Sequence, residues 1–314
     1  MIAPLNILQG FKTVRSAGRL VVFLYLVNLA FSMVLAVPMH NSLADSFGRS
    51  RAGENMAREF DFLWWQEYRD RGRGLSSTFG PSVIGRGALL NNLEGLLQMK
   101  LVGFPAEFLV VFLIYILLRT FLAGGILHLF REGVPEFNLR RFLDGSLGNF
   151  PSFLGLTLLS WVLFFSVGFV LVPKLDEAAQ RISASALTEL PGFWAGLAAS
   201  LAAGLVFLLI QAVFDYARVK IVLEERRNIF RAFGEGLVFV LKHPLASLGL
   251  YLSLCVAGLV LSVLYVLLKE NAAFPGWGGV LLAFTWQQLF VLGLAGLRCW
   301  TYASELHLAR YFRP

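Results

Sequence analysis

The sequence predicts an all-α membrane protein with six transmembrane helices, and three observations carry that prediction. Of 314 residues, 57% are apolar and 15% are charged, against about 25% charged in an ordinary soluble domain. The apolar residues fall in uninterrupted blocks of about 20, the length that crosses a hydrocarbon core of about 30 Å. Segments of about ten residues with alternating polarity, which would mark an outer-membrane barrel, are not seen. Backbone groups in lipid must be bonded within their own segment, so each block reads as a helix.

The first block, Leu20 to Pro38, follows Lys12, Arg15 and Arg19. It is longer than the roughly 7–15 residues of a signal-peptide core and is read as an uncleaved span. Residues 39–100 are the one long polar stretch, with eight basic and seven acidic residues. This mixed charge points to an extracytoplasmic insertion rather than a nucleic-acid surface. Within it Met56, Phe60, Leu63, Trp64 and Tyr68 recur at helical spacing, as do Leu89, Leu90, Leu93, Leu96 and Leu97. The glycines and proline between Gly72 and Gly87 predict a loop. Trp64, Trp65 and Tyr68 suit the headgroup layer as interface anchors. The competing readings are a small outer core or a surface for a protein partner.

The second span lies within Leu101 to Phe130 and carries Glu107 and Arg119. The third fills the charge-free gap between Asp144 and Lys174, and the fourth lies between Glu189 and Asp215. The fifth and sixth occupy the gaps from Lys242 to Lys269 and from Glu270 to Arg298. The chain therefore reads as one transmembrane domain (1–314) with an insertion at 39–100. Short-loop cations set the orientation. Arg131, Arg140 and Arg141 lie in one connection, six more basic residues between 216 and 243, and Arg310 and Arg313 in the tail. The opposite loops hold only Lys174, Arg181 and Lys269. Both termini are expected in the cytoplasm, with Ser76, Ser183 and Asn228 as accessibility probes.

An internal repeat is visible in the connections. Leu139-Arg140-Arg141-Phe142-Leu143-Asp144-Gly145 parallels Phe230-Arg231-Ala232-Phe233-Gly234-Glu235-Gly236, and a weaker copy surrounds Gln9-Gly10. Leu118-Arg119-Thr120-Phe121 likewise parallels Leu297-Arg298-Cys299-Trp300. The expectation is three hairpins, each introduced by a basic amphipathic helix on the cytoplasmic face, where such helices engage anionic headgroups.

The run Phe214-Asp215-Tyr216-Ala217-Arg218-Val219-Lys220, continuing to Gly236, resembles the helix exits of bacterial polytopic membrane proteins. These include relatives of the membrane domain attached to some glycerophosphodiester phosphodiesterases. Trp64-Trp65 and the stretch Thr78 to Gly85 resemble segments of the same proteins. The resemblance implies a bacterial inner-membrane location. It carries over no catalytic residue, and no phosphodiesterase domain is present.

No residue pattern points to catalysis or a cofactor. His40, His128, His243 and His307 lack metal-ligand spacing, no phosphate-binding glycine loop occurs, and Cys255 and Cys299 read as packing residues. The remaining candidates are polar groups inside the spans: Glu107, Arg119, Gln211, Asp215, Gln287, Gln288 and Arg298. A charge at mid-bilayer costs about 2.5–3.5 kcal/mol on insertion scales, so it is normally paired or faces a cavity. Asp215 is expected to pair with Arg119 or Arg298 as a structural staple. The functional expectation is a non-enzymatic, lipid-interacting or complex-forming envelope protein with membrane lipids as partners. The alternative is a transporter or permease subunit using these polar groups as a path, to which the Phe104-Pro105 and Gly124-Gly125 interruptions lend some support.

Overall fold

The structure, a computed structural model, describes residues 2–48, 61–72, 74–78, 106–133, 136–186, 188–225, 227–271 and 277–313. All regular elements among the described residues are helical: α1 (Ile2–Ser16), α2 (Gly18–Gly48), α3 (Phe62–Arg71), α4 (Ala106–Glu132) and α5 (Leu139–Ser166). They continue with α6 (Val172–Ser185), α7 (Glu189–Glu224), α8 (Ile229–Lys242), α9 (Pro244–Asn271) and α10 (Trp277–Tyr311). Six stretches are long and apolar enough to cross a membrane: 18–48, 109–132, 139–185, 189–224, 244–268 and 277–311. The chain is an integral, all-α polytopic membrane protein. Met56, Phe60, the 89–97 leucine set and Phe104-Pro105 lie outside the described residues, as does the 79–87 part of the predicted loop.

Several boundaries differ from expectation for identifiable reasons. α2 runs through Pro38 to Gly48; an internal proline is tolerated in a spanning helix. The third span is one 47-residue helical stretch of α5, a π turn at Val167–Leu171, and α6. At about 1.5 Å per residue it measures about 70 Å, more than twice the hydrocarbon thickness. Lys174 and Arg181 therefore sit on a helix that overruns the bilayer, not in a short loop, and Arg181 bonds Glu177 one turn back at 2.6 Å. Pro173 has no N–H for the carbonyl of Phe169, and the π turn precedes it, with Val172 N bonded to Val167 O. Gly278 and Gly279 fall in the first turn of α10.

The helices form two compact units, residues 23–118 and residues 1–22 with 119–314. In the smaller unit α2 and α4 meet through Tyr115, whose hydroxyl donates to Asn28 Oδ1 at 3.0 Å. α3 lies on the end of α2, its N-terminus capped by Asp61, which accepts from Trp64 N.

The larger unit shows the repeat in three dimensions. The span-ending helices α4, α7 and α10 converge at their C-terminal ends. Arg131 of α4 donates to Val222 O at 3.0 Å and pairs with Glu225, and Arg310 of α10 donates to Phe130 O at 3.4 Å and Arg131 O at 2.5 Å. Each ending helix carries one amphipathic segment. The start of α5 lies on α4, α8 on α7, and α1 on α10. At each crossing a glycine makes the approach possible. A methyl on Gly236 would lie 2.7 Å from Val213 O, one on Gly10 2.8 Å from Ser304 N, and one on Gly145 2.4 Å from His128 Cγ. Asn138 and Asn228 cap α5 and α8 in the same way, accepting from Arg141 N and Arg231 N.

Candidate functional site: a buried ionic network

Two helices of the larger unit each present a polar stripe at i, i+4, i+7, which places the three side chains on one face. On α7 these are Gln211, Asp215 and Arg218; on α10 they are Arg298, Tyr302 and Glu305. Asp215 is fully buried. Its Oδ1 accepts from Arg218 Nη1 at 2.6 Å, and its Oδ2 accepts from Gln211 Nε2 at 3.0 Å and the Tyr251 hydroxyl of α9 at 3.5 Å. Arg218 Nη2 donates to Thr157 Oγ1 of α5 at 3.4 Å. The proton of Thr157 goes to Phe153 O at 2.9 Å, so Thr120 of α4, 3.3 Å away, is the donor in their contact. One salt bridge thus ties α4, α5, α7 and α9 together.

Arg298 hydrogen-bonds the Tyr302 hydroxyl and lies 4.5 Å from the centre of its ring. Glu305, one turn further, is fully buried within electrostatic reach of Asp215, Arg298 and Arg218. Neither Glu305 carboxylate oxygen has a hydrogen-bond partner among the described residues, and the same holds for the nearby Tyr216 hydroxyl. Two acids and two arginines give the network no formal net charge, which limits the cost of burying it. Chemically, the bonded Asp215–Arg218 pair, held by Gln211, Tyr251 and Thr157, fixes the rotation of its helices, while the α10 stripe meets it through electrostatics.

The structure brings together Gln211, Asp215 and Arg298 of the seven polar positions selected from sequence. Arg218, not Arg119 or Arg298, forms the Asp215 ion pair. Arg119 is exposed, Gln287 is exposed, and Gln288 is half-buried. Gln288 precedes Arg298 by about three helical turns, or about 15 Å, and lies outside the network. Glu107 is in the first turn of α4; its side chain lies outside the described residues. Sequence reasoning missed Arg218 by counting it as a loop cation, and Glu305 because it lies beyond the last charge-free gap. The matching i, i+4, i+7 stripes were the available signal. His307 stands apart from the network. The Thr13 proton is committed to Gln9 O, so His307 Nε2 donates to Thr13 Oγ1 at 3.0 Å and ties α10 to α1.

Trp64, Trp65 and Tyr68 lie in the smaller unit. Trp64 and Tyr68 are buried, Trp64 stacking on Phe47 at 4.5 Å and on Tyr68 at 5.1 Å. Trp64 Nε1 donates to Ser46, and the Tyr68 hydroxyl is 2.8 Å from Ser42 Oγ. This pair makes a small core between α2 and α3. The half-buried Trp65 lies under the Arg69 guanidinium, and Phe62 and Leu63 are exposed.

No protein-family model, curated protein or solved structure matches the chain.

Proposed function

We propose that the chain is a non-enzymatic protein of the bacterial inner membrane, with both termini in the cytoplasm, that engages phospholipid through its three amphipathic segments. The observation that carries this reading is a row of exposed apolar side chains on each segment. These are Leu5, Leu8 and Phe11 on α1, Leu139, Leu143 and Leu147 on α5, and Phe230, Val238 and Leu241 on α8. Each row recurs at helical spacing and is flanked by cations: Lys12 and Arg15, Arg140 and Arg141, or Arg231 and Lys242. Such helices lie in the interface with the apolar face in the acyl boundary and the cations among anionic headgroups. The cytoplasmic assignment follows the same cations through the positive-inside bias. The resemblance to membrane domains attached to bacterial phosphodiesterases supports the bacterial setting.

The Asp215–Arg218 pair serves as a staple across α4, α5, α7 and α9, where its hydrogen-bond partners lie. The exposed Phe62 and Leu63 of α3 leave the outer insertion a surface for a protein partner. A permease subunit is the second reading; it draws on the unbonded Glu305 and Tyr216. Native mass spectrometry of gently solubilised protein tests the first reading. It should show bound phospholipid, and a chain released without any lipid overturns the reading.

A further inference from the structure

α7, α8 and Phe312, just past the end of α10, line an open groove of about 570 Å³, within the ~300–1,000 Å³ typical of small-ligand sites. Its polar wall comes from the side of α8 next to the exposed apolar row, where Arg231, Glu235 and Lys242 follow one another at i, i+4 and i+11. Lys220 and Glu224 of α7 face it. The aromatic wall is Phe239, His243 and Phe312: the His243 ring stacks on Phe312 at 3.9 Å, and Lys220 lies 5.6 Å from the Phe239 ring centre. We propose that this groove binds the phosphodiester headgroup of an anionic glycerophospholipid, a proposal that rests on the lipid-engaging reading above.

The charges select that chemistry. Lys220 is 3.5 Å from Glu224 and Arg231 is 3.1 Å from Glu235, so two of the three lining cations are met by acids on their own helices. Lys242 is exposed and makes no ion pair among the described residues. The groove therefore carries a formal excess of one positive charge, matched by one phosphodiester. α9 begins at Pro244, directly after His243. Its N-terminus adds the positive end of a helix dipole beside Lys242. Glu224 and Glu235 are acceptors for headgroup hydroxyls, as a glycerol headgroup supplies. Leu241 and Leu245, exposed next to Lys242, give the acyl chains an apolar surface. A headgroup lacking net negative charge would leave Lys242 uncompensated.

The test is native mass spectrometry of the full chain in detergent, titrated in parallel with short-chain phosphatidylglycerol, phosphatidylethanolamine and soluble glycerophosphoglycerol. Wild type should retain phosphatidylglycerol in preference to phosphatidylethanolamine. Lys242→Gln should weaken that retention about fivefold, the effect of one interfacial lysine. Lys174→Gln on α6, outside the groove, should leave it unchanged, and both variants should melt as wild type does. Equal retention by wild type and K242Q overturns the groove while leaving the lipid-engaging reading intact. Absence of any lipid on wild type overturns both. Preference for phosphatidylethanolamine overturns the charge assignment, and equal binding of the soluble diester overturns a lipid as its source.

Discussion

Replacing Asp215 by Asn keeps the size of the side chain and removes the charge facing Arg218. The lost contact is a charge-assisted hydrogen bond at 2.6 Å, of a kind contributing about 1.5–3 kcal/mol. Arg218 is then left buried with Thr157 at 3.4 Å, and removing one partner of a buried pair costs about 3–5 kcal/mol in all. Arg218→Met should cost a similar amount, because it strands Asp215 with only Gln211 and Tyr251. The double variant Asp215→Asn/Arg218→Met leaves neither charge uncompensated and should cost well under the sum of the two singles. The assay is unfolding in mixed micelles titrated with sodium dodecyl sulfate, followed by tryptophan fluorescence. Single variants within about 1 kcal/mol of wild type, or a double variant equal to the sum of the singles, would refute the staple.

Other outcomes follow from the same geometry. Gly236→Ala should destabilise the protein by about 1–3 kcal/mol, because its methyl meets the α7 backbone at Val213 and Ala217. Gly234→Ala on the same helix has open space around it and should stabilise by up to about 1 kcal/mol; the pair is read by the same titration. In a background lacking Cys255 and Cys299, a cysteine at Ser183 should react with impermeant maleimide from outside intact cells. A cysteine at Arg227 should react only after the membrane is opened, and reaction of both from outside contradicts the topology. Arg227 replaces Asn228 as the inner probe because the Asn228 side chain caps α8, and Ser183 is preferred to Ser76, which is 2.8 Å from Ser42.

The six spans were legible because lipid imposes one rule on every residue of a segment, and blocks such as 144–174 show it without interruption. The repeat was legible for a local reason: Gly145 and Gly236 follow an acid after the same basic-aromatic run, and both occupy close crossings. Less could be read where a side chain's role depends on another helix. Arg218 looks like any juxtamembrane cation until α7 is seen to continue to Glu224, about 13 Å past Asp215. Glu305 reads as a tail residue until α10 is seen to continue to Tyr311. Trp64 has the composition of an interface anchor, yet Phe47, fixed by the continuation of α2 past Pro38, gives it a stacking partner. Helix length decided all three, and helix ends are where sequence patterns are weakest.

The central claim is that three amphipathic segments rest in one membrane interface. Single spin labels at Leu8, Leu143 and Leu241 of the reconstituted protein test it most directly, by comparing relaxation from membrane-soluble oxygen with that from an aqueous nickel chelate. All three labels should favour oxygen and lie at a common shallow depth. Labels that relax chiefly through the aqueous reagent, or at three unrelated depths, would contradict the account.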